Sequence, residues 1–151
     1  MQVETEFADG VLTVRRDFPH AIDEVFAAWI DAAKTTHWWG CANTTRVVSE
    51  VEPKLGGRYK HRMTIAKVGD YAIDGRIIEY APPHKLAYTM PATEFSYAMR
   101  VTVTFEAIAG GTRVTLQQTQ LPDELQDVVG AGWTASFNRL ARYFDGGRRV
   151  A

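Results

Sequence analysis

The stretch MRVTVTFEAIAGGTRVTLQQT, residues 99–119, decides how the rest of the chain is read. Over Ala98 to Ala107, Met99, Val101, Val103 and Phe105 share one face of an extended chain, and Arg100, Thr102, Thr104 and Glu106 share the other. Over Arg113 to Thr119, Val114, Leu116 and Gln118 oppose Arg113, Thr115 and Gln117. Gly110-Gly111 between them is a tight hairpin turn. Strands joined so closely must run antiparallel. One apolar face against one wet face means a sheet covered on one side only.

Toward the N-terminus the same alternation recurs in Lys85 to Met90, Tyr71 to Tyr80, Gly57 to Ile65, Thr44 to Val51 and Val11 to Phe18, which makes about seven strands. Pro82-Pro83, Gly69-Asp70 and Gly56-Gly57 punctuate them. After the first strand, Ile22, Val25, Phe26, Trp29 and Ile30 form one helical stripe over Ile22 to Ala33, with Asp23 and Glu24 suiting the dipole of its first turn. Lys34 to Gly40 reads as a second short helix or turn. A last helix opens with Asp123 as N-cap and Gln126 three residues on, as in a capping box, and ends at Gly146. Its stripe is Leu125, Val129, Trp133, Phe137, Leu140 and Phe144. Gly130 and Gly132 each cost about 1 kcal/mol there, which predicts a bend or close packing against a strand. The reading is an α+β fold: a curved antiparallel sheet of about seven strands around a long C-terminal helix, with two short helices after the first strand.

The 151 residues fit a single domain, 1–151, large enough to bury a core without staples. A net charge of -1 gives no basic excess for nucleic acid, and Arg148 and Arg149 on the tail read as solubilising. The lone Cys41 excludes an internal disulfide and is compatible with cytoplasm. The opening Met-Gln-Val-Glu-Thr-Glu is not a signal peptide, and no apolar run is long enough to cross a membrane, so the expectation is a cytoplasmic protein with no membrane partner. His20, His37, His61 and His84 lie 17, 24 and 23 residues apart, which is no zinc spacing, and no nucleotide-binding loop occurs. Neither metal nor cofactor is expected.

The middle strands carry chemistry that a plain core does not need. Tyr59, His61, Met63 and Ile65 share a face, as do Tyr71, Ile73, Gly75, Ile77 and Glu79, and Leu86, Tyr88 and Met90. Large amphipathic side chains with a few polar groups suit a ligand pocket, although Tyr, His and Met also finish ordinary cores. His61 and Glu79 are the acid–base candidates: a buried carboxyl has a raised pKa, a histidine titrates near neutrality, and Tyr71 or Tyr88 could assist. Of the adjacent Trp38 and Trp39, only one can line the space. Cys41 reads as an inert small residue, since no base neighbours it in sequence.

Taken together, Ile22-Asp23-Glu24-Val25-Phe26-Ala27-Ala28-Trp29, Trp38-Trp39-Gly40, Gly56-Gly57-Arg58-Tyr59, the stretch from Gly75 to Leu86, Val101 to Phe105, Gly111 to Leu116 and Gly132-Trp133 resemble the helix-grip, START-like (SRPBCC) superfamily. Within it, the chain looks like the group named after the C-terminal domain of the Hsp90 ATPase activator. The resemblance implies a cavity between sheet and helix that holds a small hydrophobic or aromatic ligand. The expected lining is Trp38, Tyr59, His61, Met63, Tyr71, Ile73, Tyr88, Met90, Phe105, Trp133 and Phe137. It leaves open an enzyme of the polyketide cyclase or hydrolase type using His61 and Glu79, a stress-related protein-interaction module, and a homodimer. Hsp90 activation is not carried over, because the full co-chaperone has an N-terminal domain that this chain lacks.

Overall fold

A computed structural model describes residues 3–92 and 98–147. Arg148 and Arg149 lie outside them. Eight antiparallel strands form one curved, unclosed sheet: β1 (Glu4–Ala8), β2 (Val11–Phe18), β3 (Thr44–Val51), β4 (Arg58–Ile65), β5 (Gly69–Ala81), β6 (Lys85–Met90), β7 (Met99–Ile108) and β8 (Gly111–Thr119). Their order is β1-β2-β8-β7-β6-β5-β4-β3. Strands β3 to β8 follow one another across the sheet as a meander. Between β2 and β3 the chain crosses to the far edge through α1 (Ile22–Ile30) and α2 (Ala32–Thr35). The long helix α3 (Gln126–Phe144) buries Gly130, Trp133, Ser136, Phe137 and Leu140. This is the helix-grip architecture.

The strand count is eight, not seven. In β1 only Phe7 is a large apolar residue, so no alternation marks it. It is made by its turn: Asp9 and Gly10 both take positive φ, 53° and 76°, the geometry of a two-residue hairpin. The expected helix over Ile22 to Ala33 breaks at Asp31, which is extended and whose carboxylate accepts from the Ala33 N–H at 2.9 Å to start α2. The capping box does not form. After Pro122 the residues Asp123–Leu125 wind as a 3-10 turn, and α3 begins at Gln126 with no side-chain cap.

A bulge corrects the facing of β5. Ile77 pairs with Tyr88, but Glu79 pairs with Ala87, so Ile78 is extra and the alternation changes phase. Tyr80 therefore turns inward, where its ring meets Phe26 at 6.0 Å, and Glu79 turns outward.

The glycines divide by what surrounds them. A methyl on Gly75, in mid-β5, would drive into the Thr89 carbonyl oxygen of β6. A methyl on Gly130 would meet only Leu12 Cδ1, at 3.8 Å, and one on Gly132 only Cys41 Cβ, at 3.7 Å. Close packing against a strand, expected for the helix glycines, is thus a property of Gly75 instead. Gly75→Ala is expected to destabilise the fold by about 2 kcal/mol or more through backbone displacement, and Gly130→Ala to stabilise it by about 0.5–1 kcal/mol. Urea unfolding of the two variants checks both signs.

Candidate functional site

The two walls of the site come from the sheet and from α3 with the loop after α2. On the sheet, Met63 faces Tyr71 across β4–β5 and Met90 faces Met99 across β6–β7, with Ile73 and Gln118 completing the row. Opposite stand Trp39, Gly40 and Cys41 of the loop, Leu125 of the 3-10 turn, and Val129, Gly132, Trp133 and Ser136 of α3. Where loop and helix face each other the residues are Gly, Cys and Ser, too small to fill the gap. A cleft of about 250 Å³ remains, with exposed Val128 beside it. A larger depression of about 370 Å³ between β1 and the start of α3 is walled by Thr5, Glu6, Gln126, Asp127 and Thr134, a surface that suits water better than an apolar guest.

The helix holds the loop by charge-assisted bonds. Arg139 Nη1 donates to the carbonyls of Trp38 (3.2 Å) and Gly40 (3.0 Å), and Nη2 donates to that of Cys41 (3.1 Å). Ser136 accepts from the Gly40 N–H at 3.1 Å and donates to the Gly40 carbonyl at 2.6 Å. Burial lowers the Arg139 pKa, with Arg142 adding to the effect.

Trp39 is the hub of the aromatic cluster. It stacks on His61 with ring centres 3.9 Å apart, and it meets Trp133 edge-on at 5.3 Å and Tyr59 edge-on at 5.6 Å. The Trp133 indole N–H donates to Gln118 Oε1 at 2.7 Å, and Gln118 Nε2 donates to Met99 Sδ at 2.8 Å, so both the oxygen and the nitrogen of this amide have a partner.

Of the expected lining, Met63, Tyr71, Ile73, Met90 and Trp133 border the cleft. Trp38 does not: its indole N–H donates to the Ala28 carbonyl at 3.0 Å and its ring packs on Trp29, so Trp39 is the lining member of the pair. Tyr59, His61, Tyr88, Phe105 and Phe137 lie behind the lining, in the core. Sequence reading missed Trp39, Met99, Gln118 and Ser136. The signal for Gln118 was present, since an amide on the face of Val114 and Leu116 calls for a partner. Cys41 also borders the cleft, its Sγ 3.3 Å from Thr44 Oγ1.

The proposed acid–base pair is not assembled. Outward-facing Glu79 is bound to Lys85 at 2.8 Å and to Arg100 at 3.2 Å. The hydrogen bond from Lys85 holds its pKa below the usual carboxylate value, the reverse of the expected rise. His61 is fully buried, which pulls its pKa down from 6.5 to about 3. Its Nδ1 is 2.9 Å from Ser49 Oγ. Burial pushes the phenols of Tyr59 and Tyr88 well up. Tyr59 donates to the Trp29 carbonyl at 2.8 Å. No group of three His, Cys, Asp or Glu able to hold a metal occurs among the described residues, and no helix there is long and apolar enough to cross a membrane.

A sheet wrapped on a C-terminal helix around an apolar cleft defines a START-like domain. The sequence matches the family described as Activator of Hsp90 ATPase homolog 1-like protein over residues 19–145, and the chain belongs to that family. Among solved structures it is similar to a Rhodobacter sphaeroides protein, with a TM-score of 0.84 at 20% identity over 97% of this chain and 99% of that one. A protein of Chromobacterium violaceum gives 0.78 at 22% over 90% and 97%. The AHSA1 protein of Silicibacter pomeroyi gives 0.76 at 23% over 89% and 97%. No curated protein matches the sequence.

Two outcomes are expected. The unfolded chain protonates His61 near its ordinary pKa of 6.5 and the native state does not until about 3. Stability should therefore fall as pH drops from 6.5 toward 3, by up to about 1.4 kcal/mol per pH unit from this residue. Urea midpoints of wild type and His61→Phe between pH 6.5 and 4.5 read it; parallel curves would refute it, since the carboxylates act equally in both. Separately, Tyr59→Phe should cost about 1–3 kcal/mol by stripping the Trp29 carbonyl of its donor, whereas Tyr88→Phe, whose hydroxyl has no partner, should be neutral or stabilising. Thermal unfolding ranks the pair.

Proposed function

We propose that the protein binds a small hydrophobic or aromatic molecule in the cleft between Trp39, Trp133 and the methionine row. The supporting observation is the unfilled space itself. An interior packed at ordinary density would close about 250 Å³ of apolar volume, yet here Gly40, Cys41, Gly132 and Ser136 keep it open. Its methionines adapt to varied shapes, and its two indoles offer flat faces. Carboxylates and ammonium groups are missing from the described lining, which favours a neutral apolar guest. The separation of His61 from Glu79 removes the specific support for acid–base catalysis. The protein-interaction reading has less to rest on: of the exposed large apolar residues Val48, Leu55, Val68 and Val128, the pair Leu55 and Val68 flanks opposite ends of β4, roughly 26 Å apart for eight extended residues.

The test uses N-phenyl-1-naphthylamine, a neutral fluorescent probe. It should bind with micromolar affinity and quench Trp39 and Trp133. Gly132→Met, which places a side chain in the cleft, should weaken binding at least tenfold with the fold intact by circular dichroism. Absence of binding to the wild type, or undiminished binding to the variant, would reject the reading.

A further inference from the structure

The cleft is apolar but not uniformly so, and its polar side chains differ in what they have left to give. The Ser136 hydroxyl is spent twice on Gly40, accepting from its N–H and donating to its carbonyl. The Cys41 thiol lies against Thr44 Oγ1 at 3.3 Å. The Gln118 amide is different. An indole N–H can only donate, so the bond from Trp133 fixes which end of the amide is the oxygen. The nitrogen end then carries two protons. One goes to Met99 Sδ at 2.8 Å, and a thioether is a weak acceptor. No described residue takes the other. Supporting the indole requires only the oxygen, so the nitrogen end of this amide holds one donor poorly matched and one unspent.

The amide stands in the wall of the cleft. Gln118 borders it, and so do both residues that the amide bonds, Trp133 and Met99. Exposure grades across the lining from 71% at Val128 to 2% at Trp39 and 1% at Gln118, so Val128 marks the mouth and the amide the deep end. Directly opposite Gln118 on the neighbouring strands are Leu12 and Val101, whose side chains offer no acceptor. A donor in such a place gains most from a partner, because little water reaches it. Among the described lining residues no Lys, Arg or His would compensate an anion, which would lose its hydration for an amide N–H alone. A neutral carbonyl oxygen is a stronger acceptor than the thioether and brings no charge. Either proton serves it: the unspent one, or the one now facing Met99.

We propose that Gln118 is the residue that selects and orients the guest: the cleft takes an apolar, uncharged molecule carrying a carbonyl oxygen, which accepts from Gln118 Nε2 at the deep end while the apolar body lies between the methionines and Trp133 toward the mouth. The proposal rests on the cleft being a ligand site, and it names the ligand class and the group that reads it. No rearrangement of the loop or of the aromatic cluster is required, since the donor already belongs to the lining.

The experiment compares 2-acetylnaphthalene with 2-isopropylnaphthalene, molecules of nearly equal size of which only the first carries a carbonyl. Water solvates that carbonyl, so a cleft without a donor would bind the isopropyl compound more tightly. The full chain is titrated with each compound and followed by nitrogen-edited NMR of the side-chain amides. The acetyl compound should bind at least threefold tighter and move a Gln118 Nε2 proton downfield, while the isopropyl compound leaves that proton in place. Gln118→Met, similar in size and without the amide, should reverse the order of affinities, a change of at least tenfold in their ratio. Binding of both compounds with the Gln118 protons unmoved, or moved equally by the two, would overturn the role of Gln118 and leave the cleft as a binding site. Failure of both compounds to bind would remove the cleft reading and this inference with it. The wild-type titrations decide the matter even if the variant does not fold.

Discussion

One guanidinium organises the site. Arg139 sits in the C-terminal half of α3 and reaches the backbone carbonyls of Trp38, Gly40 and Cys41, meeting a fourth, of Trp39, at 3.5 Å. No carboxylate is among its partners in the described residues. Hydrogen bonds from a charged donor are stronger than neutral ones, so several carbonyls together hold the half-buried cation. The arrangement fixes a loop that would not hold by itself. Gly40 takes φ 111°, and a side chain there would strike Thr44, so only glycine lets the loop turn back to start β3. Ser136 closes the same turn from both sides. The position of Trp39, and hence the shape of the cleft, is set by contacts that α3 makes with backbone.

From that constraint the electrostatics of the site follow. The nearest permanent charge, Arg139, is occupied by carbonyls. His61 is held neutral by burial, and Tyr59 and Tyr88 likewise. The sheet's ion pairs, Glu79 with Lys85 and Arg100, Asp17 with Arg113 and Glu50 with Arg58, are at least partly open to solvent on its wet side. What borders the cleft is aliphatic and thioether side chains, two indoles, one thiol, the bonded amide of Gln118, the bonded hydroxyl of Ser136 and the Tyr71 phenol.

The seven strands that alternate were legible from sequence, several to the residue, because a one-sided sheet prints its pleat directly on the chain. β1 was not, since its lone Phe7 carries no period; the Asp9-Gly10 turn was the readable sign. The site was legible in kind but displaced in detail. Counting every second residue through β5 assumes an unbroken pleat, and one bulged residue at Ile78 exchanged Glu79 for Tyr80. Nothing in Arg76-Ile77-Ile78-Glu79 marks where an extra residue enters. Facing rules also sort inner from outer, not lining from core: Tyr59, His61 and Tyr88 are inward as read, yet lie one layer deeper than the cleft. Depth depends on where α3 and the loop sit, and those are placed by Arg139 and Ser136, whose roles are tertiary. The two halves of the inner face were less distinct than their compositions suggest, as Met99 and Gln118 of the plainer half border the cleft.

The bulge has a chemical consequence. A general acid–base step needs a proton acceptor near neutrality within reach of the guest. With Glu79 turned outward and bound to Lys85 and Arg100, and with burial pulling the His61 pKa down to about 3, neither residue offers a proton acceptor near neutrality on the inner face. Had the pleat of β5 run unbroken, a carboxylate would stand on the inner face in the same half of the sheet as that imidazole, and the same fold would carry the elements of a catalyst. The parity of one strand thus decides whether a carboxylate joins that imidazole on the inner face of this sheet.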